Sequence, residues 1–364
     1  MSDRPLFVTG ATGALGRRLV QEWLETTDRT LYLLIRHKGL HSAADRARKL
    51  FAPLGLDGMV GGRIRAIDGD VTKPGFGLSA GDRDLLRAEA SEFFHIAALT
   101  ELNGRKEESE RINIGGTTEA LRLARDLLER GRLERLFHFS TAYVPGSLRT
   151  YHAREDELNP DPAFANHYES SKHEAERRVR GAMAEGLPVT IFRPSIVVGD
   201  SRSGEVTEFN VVYPFFKLYA HGILDVLPAR ADETFNVVPI DFVTQAVRAL
   251  SSRADTVGKT YHLVAERPPT IGTLLKVKDT EFPRMPPIKL VDPDEFDQTR
   301  HSFLVSRIQR YIEPYLGYLR CKLTFDTTNT RSDLDGMGVE FPETDYEFLT
   351  RILQYAVDKK YLIA

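Results

Sequence analysis

An α/β fold, built on a doubly wound parallel sheet with helices on both faces and carrying a smaller C-terminal lobe, is predicted by three observations. Residues 6–24 run from a short apolar strand into an amphipathic helix through three spaced glycines. Nearly continuous apolar runs then recur at residues 30–35, 64–67, 93–98, 133–139 and 188–198, as expected of strands that a parallel sheet buries on both faces. Beyond Asp200 this pattern loosens, and 364 residues suffice for one sheet domain plus a smaller lobe. Together these give a Rossmann-type arrangement. Residues 1–200, with a return at 236–265, form the main domain, and residues 201–235 and 266–364 the substrate-binding lobe.

The first element is the most informative. Leu6, Phe7 and Val8 supply the strand, and Leu15, Leu19, Val20, Trp23 and Leu24 one face of the helix. Between them Gly10, Gly13 and Gly16 give T-G-x-x-G-x-x-G, a turn without β-carbons that lets backbone N–H groups approach a pyrophosphate at the helix N-terminus. Thr9, Gly10, Thr12, Gly13, Ala14, Leu15 and Gly16 are therefore candidate dinucleotide contacts.

The second strand, residues 30–35, ends in Arg36, His37 and Lys38. At this strand end an acid selects a free ribose 2′-hydroxyl and a base selects a 2′-phosphate. No acid stands there. Arg17 and Arg18 follow the glycines, where cations oppose the helix macrodipole unless an anion is bound. Arg17 and Arg36 accordingly predict NADPH rather than NADH.

A basic helix over residues 43–54 leads to a third strand at 64–67, which ends in Asp68-Gly-Asp-Val71. Asp70 is placed to meet an adenine amino group with Val71 against the ring, or is simply a turn acid. The fourth strand, 93–98, ends in Ala97 and Ala98, small enough for a cofactor to lie across it. Asn113, ahead of the helix at 117–129, either holds that strand end or caps the helix.

The fifth strand, 133–139, ends in Ser140-Thr141-Ala142-Tyr143-Val144, a hydroxyl pair at the carboxyl edge where open α/β sheets bind ligands. Some residues later Tyr168 and Lys172 stand at i and i+4 of a helix. A free phenol titrates near pH 10, and a neighbouring ammonium is expected to lower that value and prepare Tyr168 for proton exchange. The sixth strand, 188–198, carries Pro194, Ser195 and Ile196, whose backbone amides are candidates to hold a nicotinamide carboxamide. Arg193 reads equally as a satisfied buried arginine or a ligand group.

Composition narrows the remaining classes. With 49 basic and 52 acidic residues, bulk charge argues against a nucleic-acid or membrane-surface protein. The single cysteine, Cys321, cannot form an intramolecular disulfide, and no Cys/His cluster has metal-ligand spacing. The expectation is a cytoplasmic, metal-free protein with no signal peptide, no integral membrane segment and no internal repeat.

TGATGALG, the LLIR strand end, HIAALT, INIGGT, FSTAYV, YESSK and FRPSIVVGDSRSGE, in this order, resemble the extended short-chain dehydrogenase/reductase superfamily over about residues 5–265. Within it STAYV, SKHEAE and the basic second strand end resemble the branch of fatty acyl-CoA reductases and the thioester reductase domains of carboxylic acid reductases and peptide synthetases. The resemblance implies a hydroxyl–Tyr–Lys catalytic set on Thr141, Tyr168 and Lys172, with Ser140 the rival for the hydroxyl position. It also implies cofactor contacts at Gly10, Gly13, Gly16, Arg17, Arg36, Asp70 and Lys172. It further implies an NADPH-dependent reductase of acyl thioesters, delivered on coenzyme A or a carrier protein, that yields an aldehyde or alcohol. The alternatives are a sugar-nucleotide epimerase or dehydratase, a hydroxysteroid- or flavonol-type reductase, or a non-catalytic cofactor sensor, which the Tyr-x-x-x-Lys pair disfavours.

In the second lobe, residues 209–219 are aromatic, with a helix expected to begin near Pro214. Residues 236–240 read as a return to the main sheet, followed by a helix at 242–250 and a strand at 260–264. The last helix, about 346–359, gathers Phe348, Leu349, Ile352, Leu353 and Ala356 on one face. That face calls for a partner, either this lobe or the second subunit of a homodimer.

Overall fold

A computed structural model describes residues 4–209, 212–298, 313, 315–319 and 322–363; Cys321 and residues 210–211 of the aromatic stretch lie outside these. Among the described residues, seven strands form the central sheet: β1 (Leu6–Thr9), β2 (Leu31–Ile35), β3 (Ile64–Asp68), β4 (Glu92–His95), β5 (Arg135–Phe139), β6 (Val189–Pro194) and β7 (Thr260–Leu263). Their order is β7-β6-β5-β4-β1-β2-β3, parallel throughout. The chain therefore reverses direction across the sheet between β1 and β4. Ligands of open α/β sheets bind at such a switch point.

Strand period two sorts the side chains onto two cores. Leu6, Val8, Leu33, Phe94, Phe137 and Phe192 meet the helices α1 (Ala14–Thr26) and α2 (Ala43–Phe51), with the helix Ile240–Ser251 on the same face. Phe7, Tyr32, Leu34, Phe93, Leu136 and Ile191 meet α3 (Ala80–Glu89), α4 (Gly116–Glu129) and α5 (His167–Ala184) on the other. A third core, around Tyr213, Phe215, Leu274, Phe348 and Ile352, belongs to the smaller lobe.

Three expectations change. The fourth strand stops at His95, because Ile96 and Ala97 turn over the glycine loop: Gly10 has φ +79°, and a Cβ on it would lie 2.5 Å from the Ala97 nitrogen. The sixth strand breaks after Pro194, which has no N–H to continue the ladder. Its continuation, Ile196–Val198, leaves the main sheet and pairs with Val237–Pro239. The return expected at residues 236–240 is therefore to this two-stranded ribbon, while Thr260–Leu263 alone rejoins the sheet, beside β6.

The helix Val212–Ala220 carries Pro214 in its first turn, where the missing N–H costs no intrahelical bond. The final helix, Tyr346–Asp358, begins at an Asp345 cap and buries Phe348, Leu349, Ile352, Leu353 and Ala356 within the lobe's own core. Of the two partners considered for that face, the lobe itself supplies one.

Candidate active site

A groove of about 470 Å³ runs along the carboxyl edge of the sheet over the switch point. It gathers Gly10, Thr12, Gly13, Ala14, Leu15, Gly16, Arg36, Asp70, Val71, Ala97, Ala98, Ser140, Thr141, Tyr168, Lys172, Pro194, Ser195 and Ile196 in its walls. Three residues proposed from sequence stand outside the lining. Thr9 is buried, with its hydroxyl on His95 Nδ1 at 2.8 Å. Arg17 lies in the first turn of α1 with its Nε buried and without a hydrogen-bond partner. Asn113, buried in a π-helical turn, accepts from the Leu99 nitrogen (2.8 Å) and donates to the Leu99 oxygen (3.0 Å) and to Ser171 Oγ (2.9 Å). It acts as a strap for the chain after β4, not as a helix cap.

The residues at one end of the groove fit a dinucleotide. Helix α1 starts at Gly13 with no capping side chain and no acid in its first turn, so its first N–H groups and the positive end of its dipole remain available to an anion. Gly16 permits the close turn, since a Cβ there would sit 2.2 Å from the Gly10 oxygen. Arg36 lies 3.9 Å from Asp70, and the Arg46 guanidinium, also in the lining, donates to the Arg36 carbonyl. Burial raises the Asp70 pKa, but hydrogen bonds from Thr72 and the charges of Arg36 and Lys73 outweigh it and hold the carboxyl below its ordinary value. Arg46 was legible only as part of a basic helix; nothing in its spacing aims it at the β2 end.

At the opposite wall the expected backbone anchors are already engaged. The Ser195 nitrogen donates to the Leu263 oxygen at 3.1 Å and the Ile196 nitrogen to the Asn236 oxygen at 3.4 Å. What Ser195 leaves to the groove is its hydroxyl, buried and unpartnered among the described residues. Such an orphaned group is the kind of feature a polar ligand satisfies.

The hydroxyl pair after β5 divides. Ser140 Oγ donates to the buried Glu176 carboxylate at 2.6 Å, whereas the Thr141 hydroxyl donates to the Pro194 carbonyl (3.5 Å), accepts from the Tyr143 nitrogen (3.3 Å) and neighbours the Tyr168 phenol, whose pKa it acts to lower. Lys172, 3% exposed, donates from Nζ to the Phe139 carbonyl at 2.6 Å. The expected depression of the phenol by its lysine neighbour is not found. Burial pushes Tyr168 up to about 12, opposed by the nearby Thr141 hydroxyl and assisted by the charge of Glu169. Burial also pulls Lys172 down to about 8, against the charge of Glu176. Spacing along a helix reveals that two side chains share a face, not how dry that face is. Arg193 resolves as a structural residue, wholly buried on Glu176 (2.5 Å) and on the carbonyls of Arg154 and Glu157.

Beyond Tyr168 the groove is lined by Leu102, Tyr143, Val198, Val206 and Tyr318. Tyr318 packs edge-on against Tyr143 with ring centroids 4.5 Å apart. It is brought there by Gly317, where a Cβ would lie 2.7 Å from that of Ala165. No short-range pattern connects residue 318 with residue 143.

Comparison with known proteins agrees with this geometry. An NAD-binding family described as male sterility protein matches residues 8–247. The nonribosomal peptide synthetase asaC of Aspergillus flavus is 28% identical over 93% of this chain and 35% of its own length. The fatty acyl-CoA reductase wat of Drosophila melanogaster is 29% identical over 68% of this chain and 54% of its own length. This chain thus spans about a third to a half of these two relatives. The terminal R domain of the myxalamid PKS-NRPS pathway superposes with a TM-score of 0.84 and 28% identity, covering 99% of this chain and 92% of that one. With its glycine cradle, its Tyr168–Lys172 pair and these relatives, the chain belongs to the NAD-binding male sterility protein family, within the extended short-chain dehydrogenase/reductases.

Proposed function

We propose that this chain is an NADPH-dependent reductase of acyl thioesters, presented on coenzyme A or on an acyl or peptidyl carrier protein, with an aldehyde as first product. The observation that carries this reading is the pair of neighbouring Thr141 and Tyr168 hydroxyls standing between a glycine cradle and an apolar, tyrosine-lined wall. The likeness to a fatty acyl-CoA reductase and to a terminal R domain supports the substrate class.

A dihydronicotinamide held by Lys172, Ser195 and the glycine end would supply the hydride. The chain's own residues manage the oxygen and the proton. Thr141 and Tyr168 hydrogen-bond the thioester carbonyl oxygen and stabilise the negative charge that develops on it. Tyr168 is suited to protonate that oxygen because a phenol titrating at about 12 stays protonated at neutral pH, while an alkoxide is basic enough to take its proton. The resulting hemithioacetal collapses as its C–S bond breaks, the thiol leaves with a proton, and aldehyde remains. A second cycle on the retained aldehyde gives the alcohol.

The direct test mixes the purified protein with NADPH and acyl-CoAs of several chain lengths, following free thiol and nicotinamide absorbance. Thiol release matched by NADPH oxidation is expected, in equal amounts for an aldehyde product and at twice the NADPH for an alcohol. Absence of both across the panel overturns the proposal, and turnover of UDP-sugars instead would move it to an epimerase.

Two further outcomes follow from the site. Replacing Arg36 and Arg46 together by Ala should raise the Kd for NADPH by about tenfold or more, the loss of one or two charge-assisted contacts. The Kd for NADH should hardly move, as read by fluorescence titration. Activity should also fall as pH rises through about 8, where Lys172 loses its proton, with no acidic limb from Tyr168. The profile of kcat/KM against pH checks the sign.

A further inference from the structure

Three consecutive residues at the end of β5 are tied to successive turns of one helix. The Phe139 carbonyl accepts from Lys172, the Ser140 hydroxyl donates to Glu176, and the Thr141 hydroxyl meets Tyr168. Positions 168, 172 and 176 of α5 form a single stripe at i, i+4 and i+8. Tyr168 and Lys172 already have roles in the reading above; Glu176 has none.

Glu176 is wholly buried, which is costly for a carboxylate unless it is paired and hydrogen-bonded. Arg193 binds it through Nη2 (2.5 Å) and Nε (3.0 Å), and Arg180 through Nε (2.8 Å). Burial raises its pKa, but these arginines and the Ser140 hydroxyl hold it well below the usual carboxylate range, so it is an anion at every pH of interest. The additional bond to Ser140 connects it to the residue between the Lys172 acceptor and Thr141.

We propose that Glu176 is a positioning residue of the reaction, fixing through Ser140 the strand end that carries Thr141 beside Tyr168 and setting its charge one helical turn from Lys172. The inference rests on the roles given above to Thr141, Tyr168 and Lys172. Glu169, one turn before Lys172 on α5, is engaged by Ser147 and by the Ala165 nitrogen, and neither histidine beside Lys172 brings it a negative charge. His95 on β4 is pushed down to about 3 by burial and by Lys172, and His138 on β5 is likewise held neutral. Tyr168, on the same helix, stays a neutral phenol. Glu176 is the group whose charge acts to raise Lys172.

The experiment compares the wild type, Glu176→Gln and Ser140→Ala by two readouts. One is the titration of Lys172 by ¹H–¹³C NMR of protein carrying ¹³Cε-lysine, with Lys172→Met to assign the signal. The other is kcat/KM against pH with NADPH and an acyl-CoA. Glu176→Gln should move the Lys172 midpoint and the alkaline limb down together by about one pH unit, a change of the size expected for losing one nearby opposite charge. Ser140→Ala should lower kcat several-fold at every pH, by roughly the effect of one lost neutral hydrogen bond, without moving the midpoint. If Arg193 left unpaired prevents Glu176→Gln from folding, Glu176→Gln/Arg193→Met removes both charges and should shift the midpoint in the same direction by a smaller amount, because the loss of the arginine partly offsets that of the carboxylate. A Lys172 midpoint unmoved in the folded Gln variant, or a kcat unmoved in Ser140→Ala, overturns the proposal. Because the NMR titration needs no turnover, it separates this failure from a failure of the thioester reading.

Discussion

Tyr168→Phe is expected to lower kcat by roughly 10²–10⁴-fold, the usual range for removing a positioned proton donor. The Kd for NADPH should change by no more than about twofold, the pattern of a group that acts on the transition state and not on binding. The substitution removes a single oxygen. The ring stays packed on the lobe's core, which Tyr168 borders, and Lys172 keeps its bond to the Phe139 carbonyl. The lost oxygen is the one that neighbours the Thr141 hydroxyl, so the variant leaves a hydroxyl but no acid beside the proposed position of the substrate carbonyl. Single-turnover measurement with saturating NADPH, beside a fluorescence titration of the cofactor, checks both halves. A parallel loss of cofactor affinity would instead make Tyr168 a binding residue.

Gly16→Ala should have the second largest effect, on dinucleotide binding and on stability together. The added Cβ would lie 2.2 Å from the Gly10 oxygen, 2.8 Å from its carbonyl carbon and 3.0 Å from the Ala11 Cα. All three are backbone atoms, which cannot rotate aside as a side chain would. Nor can Gly10 retreat, because it sits under Ala97 with room for no Cβ of its own. Overpacking of this kind typically costs about 1–3 kcal/mol, and the turn that presents the first N–H groups of α1 must open to relieve it. A thermal midpoint lowered by several degrees, with NADPH affinity reduced more than about tenfold, is the expected result. Gly181→Ala is the control: it lies on α5 with nothing within 4 Å of its Cβ, so it should be neutral or gain about 0.5–1 kcal/mol.

How much of this was legible in the sequence varied with the range of the interaction. The glycine cradle, the parallel strands and the Tyr168–Lys172 pair are local patterns. A turn, a period of two and a step of four residues each carry their geometry with them. The broken sixth strand was not legible, because VTIFRPSIVVG reads as one apolar run and only the distant pairing of Val237–Pro239 shows where it changes sheets. That Ser140 turns to Glu176 depends on a residue thirty-six positions away. Arg46 and Tyr318 reach the groove through the placement of a helix and the close approach at Gly317, which residue type alone does not announce. The acidity of Tyr168 follows the same rule: its neighbour is visible in the sequence, but how closely the fold packs around it is not.

The break after Pro194 also bears on how such a protein can diversify. Because Ile196–Val198 leaves the main sheet for its own ribbon, the wall formed by Val198, Val206 and Tyr318 is built largely on lobe packing, while Thr141, Tyr168 and Lys172 stand on the central strands and their flanking helix. Exchanges of bulk on the lobe side can therefore reshape that wall while Thr141, Tyr168 and Lys172 keep their places, so the two halves of the groove can vary independently.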